Sequence, residues 1–345
     1  MRIALLVPGP FDTISGGYIY DRRLAEGLRA LGHEMQVVEL PGRHPLPDEA
    51  ATEGARTSLD GLPGDARIVV DGLGLPAFAP LAERLAARGA VGLIHHPTAL
   101  EHGNPGPVRD ALREAEQALF PRLARLVATS PLTARRLAED FVVDAARIGV
   151  VEPGTDVAPR SEGSGGPGCA ILSVGALIPR KGHDVLLRAL ASLSDLDWTL
   201  TIAGGARDQV YANGLAALAE ELGIAQRVTF AGEVGGAALE ALWRRSDVFA
   251  LASHWEGYGM AVAEALARGL PVAVAAGGAL AALVPVEAGV VSAPGEVVSL
   301  GKAMRRVIFD TDLRADMAEA AWKAGQKLPR WEDRAAAFLA ELERA

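Results

Sequence analysis

The residues best equipped for chemistry lie between Ser253 and Val272. Glu256 and Glu264 stand with seven residues between them, and Gly257-Tyr258-Gly259 follows the first acid. One apolar run (Asp247 to Leu251) precedes the stretch and another (Pro271 to Ala275) follows it. Strand, helix and strand are expected, with glycines opening the helix and Gly269 and Pro271 ending it. Glu256 then sits at the start of the helix and Glu264 about two turns inside. Main-chain N–H groups at a helix start are unpaired and lie at the positive end of the dipole, so such a turn can bind phosphate or sugar oxygens. Carboxylates only accept hydrogen bonds, and here they would accept them from hydroxyls. A phosphate-favouring turn flanked by two such acids suits a nucleotide sugar. Arg268, four residues after Glu264, offers a plainer alternative, an exposed helical ion pair worth about 0.3 kcal/mol. The apolar neighbours Met260, Val262, Ala263, Leu266 and Ala267 argue against a fully solvated face.

A second constellation follows the apolar run Ala170 to Val174. Arg180 and Lys181 lie in the loop from that strand to the next helix, and Lys181 is one of only four lysines among 34 basic residues. In so arginine-rich a chain a lysine points to a compact ammonium. A guanidinium and an ammonium in one loop can neutralise a leaving pyrophosphate as charge grows on it. Near the N-terminus, Pro8 to Tyr18 joins the first strand to the first helix, and Gly16 and Gly17 would let backbone approach an anion. The G-x-G-x-x-G spacing of a dinucleotide cofactor is missing. His95 and His96 follow the strand Val91 to Ile94, with Glu101 and His102 shortly after. These four could suggest a metal site, but they lack the i, i+4 spacing of a helical zinc motif and Pro97 interrupts any helix.

The E-x7-E pair, the Glu256-Gly257-Tyr258-Gly259 run and the Gly269-Leu270-Pro271-Val272 exit resemble the signature of retaining glycosyltransferases with the GT-B fold, notably glycosyltransferase family four. The resemblance implies two Rossmann-like doubly wound α/β domains facing each other across a cleft. It implies transfer of a sugar from a nucleotide-diphosphate donor (a UDP- or GDP-sugar) to an acceptor hydroxyl, with retention and without a metal. Arg180 and Lys181 match the family's Arg-Lys-Gly segment, whose cations hold the diphosphate. Glu264 is expected on the ribose hydroxyls, and Glu256 with the Gly257, Tyr258 and Gly259 amides on the sugar. Main-chain groups from Phe230 to Val234 are expected on the base. Gly16 and Gly17 resemble the family's N-terminal Gly-Gly loop, and His95 the histidine that touches the transferred sugar. His95, Glu256, Arg180 and Lys181 form the expected catalytic set; His96, Glu101 and His102 would lie on the acceptor side. The family's chemistry is pictured as front-face attack, with no covalent role for Glu256. One departure stands out: after Val272 to Ala275 the family usually carries Gly-Gly and then an acid, whereas Gly277 to Leu283 has no carboxylate. Other readings are a GT-B epimerase or phosphorylase, or an inactive nucleotide-sugar-binding partner protein. The acceptor is left open among a glycan, a lipid-linked saccharide and a small molecule.

The rest of the chain must position these residues. Its 345 residues suggest two domains, and half of them are apolar, with 39 glycines; this fits buried parallel strands covered by helices. A net charge of −9 argues against nucleic acid and against more than peripheral contact with an anionic membrane. One cysteine, Cys169, allows no internal disulfide and no cysteine zinc cluster, and suits a reducing cytoplasm as a small buried hydrophobe. The sequence opens directly on strand-like Arg2 to Val7, so no signal peptide is expected, and no apolar run reaches membrane-spanning length. Strand-like runs alternate with helix-period segments twice along the chain, so two parallel sheets are expected, with ligands at the carboxyl ends of the strands. The first domain is read as residues 1–158, the Gly/Ser/Pro-rich 159–168 as a flexible linker that lets the cleft open and close, and the second domain as 169–328. A last helix in 329–345 would pack back on the first domain, as the GT-B resemblance implies.

Overall fold

In the computed structural model, which describes every residue except His102, the chain divides into two compact units. One is Met1–Gly154 with Pro329–Ala345, the other Thr155–Leu328.

The first unit is built on β1 (Arg2–Pro8), β2 (Glu34–Leu40), β3 (Arg67–Asp71), β4 (Val91–Ile94), β5 (Arg125–Ala128) and β6 (Ile148–Val150). They form a parallel sheet in the order β2-β1-β3-β4-β5-β6, with Ile3 opposite Met35 on one side and Arg67 on the other. The connecting helices are α1 (Gly16–Ala30), α2 (Glu49–Gly61), α3 (Ala82–Ala87), α4 (Gly106–Leu119) and α5 (Pro131–Phe141). Because β1 lies between β2 and β3, the order reverses at β1, and the loops after β1 and β3 open a crevice at their carboxyl ends. Local chemistry sets several helix starts. Asp48 accepts from Ala51 N and caps α2, and Ser130 accepts from Thr133 N ahead of Pro131 in α5; each cap is worth about 1 kcal/mol.

The second unit repeats the plan with β7 (Cys169–Val174), α6 (His183–Ala191), β8 (Trp198–Ala203), α7 (Gln209–Glu221), β9 (Val228–Gly232) and α8 (Gly236–Arg244). It continues with β10 (Val248–Leu251), α9 (Met260–Ala267), β11 (Val272–Ala275), α10 (Leu280–Leu283), β12 (Gly289–Ser292), α11 (Val297–Phe309) and α12 (Thr311–Gly325). The parallel order is β12-β11-β10-β7-β8-β9, so the switch point falls between β7 and β10. Both strands are apolar and almost wholly buried, as a sheet covered on both faces requires.

The last helix, α13 (Trp331–Glu343), belongs to the first unit and packs along α1. Ala335, Phe338 and Leu342 supply its buried face, and Gly27 of α1 leaves room for Ala335. Glu341 pairs with the mostly buried Arg125 of β5.

Several expectations need correction. The segment 159–168 lies against residues of the second unit's core: Ser161 Oγ has the main-chain carbonyls of Trp243, Arg244 and Ser246 within hydrogen-bond reach, Ser246 nearest at 2.7 Å, and Ser164 N donates to Asp247. A run poor in side chains can still be fixed through its backbone. The pattern over Pro76 to Ala87 splits into a 3₁₀ turn at Leu75–Leu81 and then α3, because Pro80 lacks an N–H inside it. The helix α2 carries little sequence signal, since its buried face is mostly alanine (Ala51, Ala55) with Leu59. Among the described residues, no helix is long and apolar enough to cross a membrane.

Candidate functional site

In the second unit, the chain leaves β7 at Gly175 and forms a short 3₁₀ turn at Pro179–Lys181. Gly182, at φ +61°, ends the turn, and a side chain there would strike the Ala252 carbonyl. Gly175 leaves space for the stem of Lys181, whose Cδ would lie 3.2 Å from an added Cβ. The neighbouring strand β10 feeds the loop carrying Ser253 and Glu256. The two loops are tied through the backbone, His254 N donating to the Arg180 carbonyl at 2.8 Å.

Their side chains meet at Glu256, which is 7% exposed. Lys181 Nζ donates to its Oε1 at 2.6 Å and Ser253 Oγ donates to the same oxygen at 2.6 Å. Arg180 lies 3.7 Å from Oε2 and donates to the Trp255 carbonyl at 2.8 Å. Burial works to raise the carboxyl's pKa, but Lys181 and then Arg180 outweigh it and hold Glu256 below its ordinary value. Lys181 is therefore no exposed loop charge. Two cations and an anion share one partly buried pocket, where fixed charges act strongly on a developing negative charge.

Glu256 precedes the signature helix, because α9 begins only at Met260, after Gly259 at φ +107°. Glu264 consequently stands just over one turn inside, not two. The 256–259 loop takes up residues that the sequence pattern assigned to the helix. Arg268 does not form the exposed pair with the Glu264 side chain. Its guanidinium reaches Glu240 at 2.6 Å, lies over the Trp243 ring, and donates only to the main-chain carbonyl of Glu264. Gly277 and Gly278 face this same loop. Glu256 N donates to the Gly277 carbonyl and Ala279 N to the Glu256 carbonyl, and a side chain on Gly278 would overlap the Glu256 backbone. Where the sequence lacks an acid, the glycines fix Glu256 itself. Tyr258 is buried, and Val234 packs against the core cluster that holds Trp243, Phe249 and Leu251.

In the first unit, His95 follows β4 and meets two acids that the sequence reading did not single out. Its Nε2 lies 3.0 Å from Asp21 Oδ1 and 3.4 Å from Asp71 Oδ2. Burial works to lower the pKa of the ring, but Asp21 and Asp71 outweigh it and hold it well above its ordinary value. Each of the three residues brings one ligand-type atom within 4.8 Å of the others. If Nε2 carries the proton of its hydrogen bond to Asp21, it has no lone pair to offer a cation. Gly17 of α1 lies against the ring, 3.2 Å from Cδ2 to an added Cβ, so its smallness serves His95 directly. His96 Nε2 stands 3.9 Å from Glu101, and His102 lies outside the described residues. The turn carrying these groups is anchored by buried Glu116 of α4, which accepts from Thr98 N at 2.6 Å, Thr98 Oγ1 at 2.8 Å and Ala99 N at 3.1 Å. Burial raises the Glu116 carboxyl to about 7. Two of the missed acids left a readable trace: Asp71 ends an apolar strand, and Asp21 falls on the apolar face of α1 with Leu24, Ala25 and Leu28.

Two six-stranded parallel sheets covered by helices are the architecture of the GT-B fold. The match to solved structures agrees. Sucrose-phosphate synthase from Thermosynechococcus elongatus superposes over 100% of this chain and 98% of its own, with TM-score 0.83 at 20% identity. Anabaena HepE in complex with UDP-glucose covers 98% and 100%, with TM-score 0.78 at 20% identity. Residues 158–324, just under half of the chain, match the profile of the family described as glycosyl transferases group 1, so it is the second unit that carries the likeness to that family. Among curated relatives, the D-inositol 3-phosphate glycosyltransferase of Mycolicibacterium gilvum is 37% identical over 216 residues, covering 56% of this chain and 48% of the relative. That of Salinispora arenicola is 31% identical over 231 residues, covering 60% and 52%. The chain spans about half the length of these relatives.

Proposed function

We propose that the protein is a retaining, metal-independent hexosyltransferase that moves a sugar from a nucleotide diphosphate to an acceptor hydroxyl. The observation that carries this reading is the meeting of Lys181, Arg180 and buried Glu256 at the carboxyl ends of β7 and β10. On this reading the two cations take the donor's diphosphate and stabilise it as it leaves, so no divalent ion is needed. Lys181 exchanges Glu256 for phosphate oxygen, and the released carboxylate accepts from a sugar hydroxyl, assisted by amides of Gly257, Tyr258 and Gly259. Glu264 accepts from the ribose, and main-chain groups near Val234 meet the base. His95 touches the sugar, Gly16 and Gly17 support the donor, and His96, Glu101 and His102 serve the acceptor. The UDP and UDP-glucose held by HepE favour a UDP-sugar over a GDP-sugar, and the single buried thiol suits a reaction in the cytoplasm.

Calorimetry on two variants tests the assignment. Glu264→Gln removes a charge-assisted acceptor worth about 1.5–3 kcal/mol and is expected to weaken UDP and intact donor alike. Glu256→Gln is expected to leave UDP affinity nearly intact while depressing turnover. The opposite pattern would show the two acids to be placed backwards, and no UDP or GDP binding by the wild type would defeat the reading.

A further inference from the structure

His95 is more tightly held than contact with a sugar requires. Three elements converge on it: α1 brings Asp21, the end of β3 brings Asp71, and the ring follows β4. Both carboxylates are almost fully buried, while 24% of the His95 side chain stays accessible, so the acids stand behind the ring. Asp71 is fixed by its own turn, because its Oδ1 accepts from Leu73 N at 2.9 Å. Asp21 is fixed by its place one turn along α1 from Gly17, and these two residues, on one helix face, grip the ring from two directions. Tyr20 meets the imidazole edge-on at 5.2 Å and 82°, and is itself tethered by its hydroxyl to the Val151 carbonyl at 2.9 Å. Trp331 of α13 packs against Tyr20 at 5.7 Å.

One carboxylate would be enough to choose a tautomer. Two on the same nitrogen do more: they keep a proton on Nε2 and favour the charged ring, because losing the proton would leave two buried anions without their cation. The charged groups around the ring are Asp21, Asp71 and, acting on Asp21, Arg22; Tyr20 is ionisable but neutral, with Arg334 acting on it. A base needs a free lone pair near its working pH. This ring is built the other way.

We infer that Asp21 is a positioning residue which, with Asp71, makes His95 a fixed hydrogen-bond donor, so that His95 binds an oxygen of the substrate and does not take the acceptor's proton. The inference rests on the proposed glycosyl transfer for its meaning, but the state of the ring can be measured without activity. In full-length protein with ¹⁵N-labelled histidine, the His95 ring nitrogens are followed by NMR from pH 6 to 9. The wild-type ring is expected to stay protonated through pH 8. In Asp21→Asn, and in Asp71→Asn should the first variant fold poorly, it is expected to lose its proton at least one pH unit lower than in the wild type. With donor and acceptor, kcat of Asp21→Asn should acquire a fall on the alkaline side that the wild type lacks, while UDP affinity by calorimetry stays within twofold. A His95 ring that titrates near its ordinary value in the wild type would overturn the inference. So would a ring unmoved by either substitution in a folded, destabilised variant, which would mark the acids as structural only. Absence of UDP binding by the wild type would strike the proposed function instead, leaving the ring's titration to be judged separately.

Discussion

Replacing Lys181 by Ala should cost both stability and ligand binding, and the structure sets the size of the first effect. Glu256 is buried and takes its shortest bonds from Lys181 and Ser253, both at 2.6 Å. Removing one partner of a buried pair typically costs about 3–5 kcal/mol, because the other charge is left uncompensated. Here Ser253 still donates and Arg180 remains 3.7 Å from Oε2, so about 2–3 kcal/mol at pH 7 is expected. For a unit of this size that corresponds to a melting shift of roughly 5–10 °C. The pH dependence follows from the sign of the shift. In the wild type the Glu256 carboxyl is held below its ordinary value, so its contribution is present above the unfolded pKa and is lost as pH falls through the folded one. In Lys181→Ala, burial without the ammonium pushes the carboxyl up, and it can take a proton in mild acid. The deficit should therefore be largest near pH 7–8 and shrink toward pH 5. Thermal melts of both proteins across that range, with and without UDP, provide the assay, and UDP affinity should fall at least about tenfold, or 1.4 kcal/mol. A deficit below about 0.5 kcal/mol at pH 7 would refute the reasoning, as would one constant from pH 5 to 8.

Three further outcomes are expected. Gly278→Ala places a side chain at φ +70° and onto the Glu256 backbone, so melting should drop by the equivalent of about 1–3 kcal/mol and turnover should fall with it. Gly214→Ala serves as the control, since Gly214 lies inside α7 with nothing near an added Cβ and should gain about 0.5–1 kcal/mol. Transfer activity should survive dialysis against a chelator. Complete loss, restored by magnesium or manganese, would overturn metal independence.

What the sequence by itself determined is local. Alternating apolar runs and helix-period segments mark both sheets, because a strand buried on two faces and a helix buried on one each write their own period. The spacing of Glu256 and Glu264, and the cations after β7, can be read in the same way, because strand ends carry the loops that hold ligands. The tertiary structure decided which residues meet. Lys181 and Glu256 are 75 residues apart and pair only because β7 and β10 lie side by side, an order that no local pattern dictates. Arg268 could have taken Glu264 at helical spacing; it takes Glu240 and the face of Trp243 instead, contacts between separate elements that leave only 12% of its side chain exposed. Asp21 looks in sequence like a lone acid on an apolar helix face and Asp71 like the end of a strand. Only the convergence of α1, β3 and β4 turns them into the seat of His95. Periodicity is fixed by neighbours along the chain, whereas the charge state and partner of a buried group depend on what the fold packs around it.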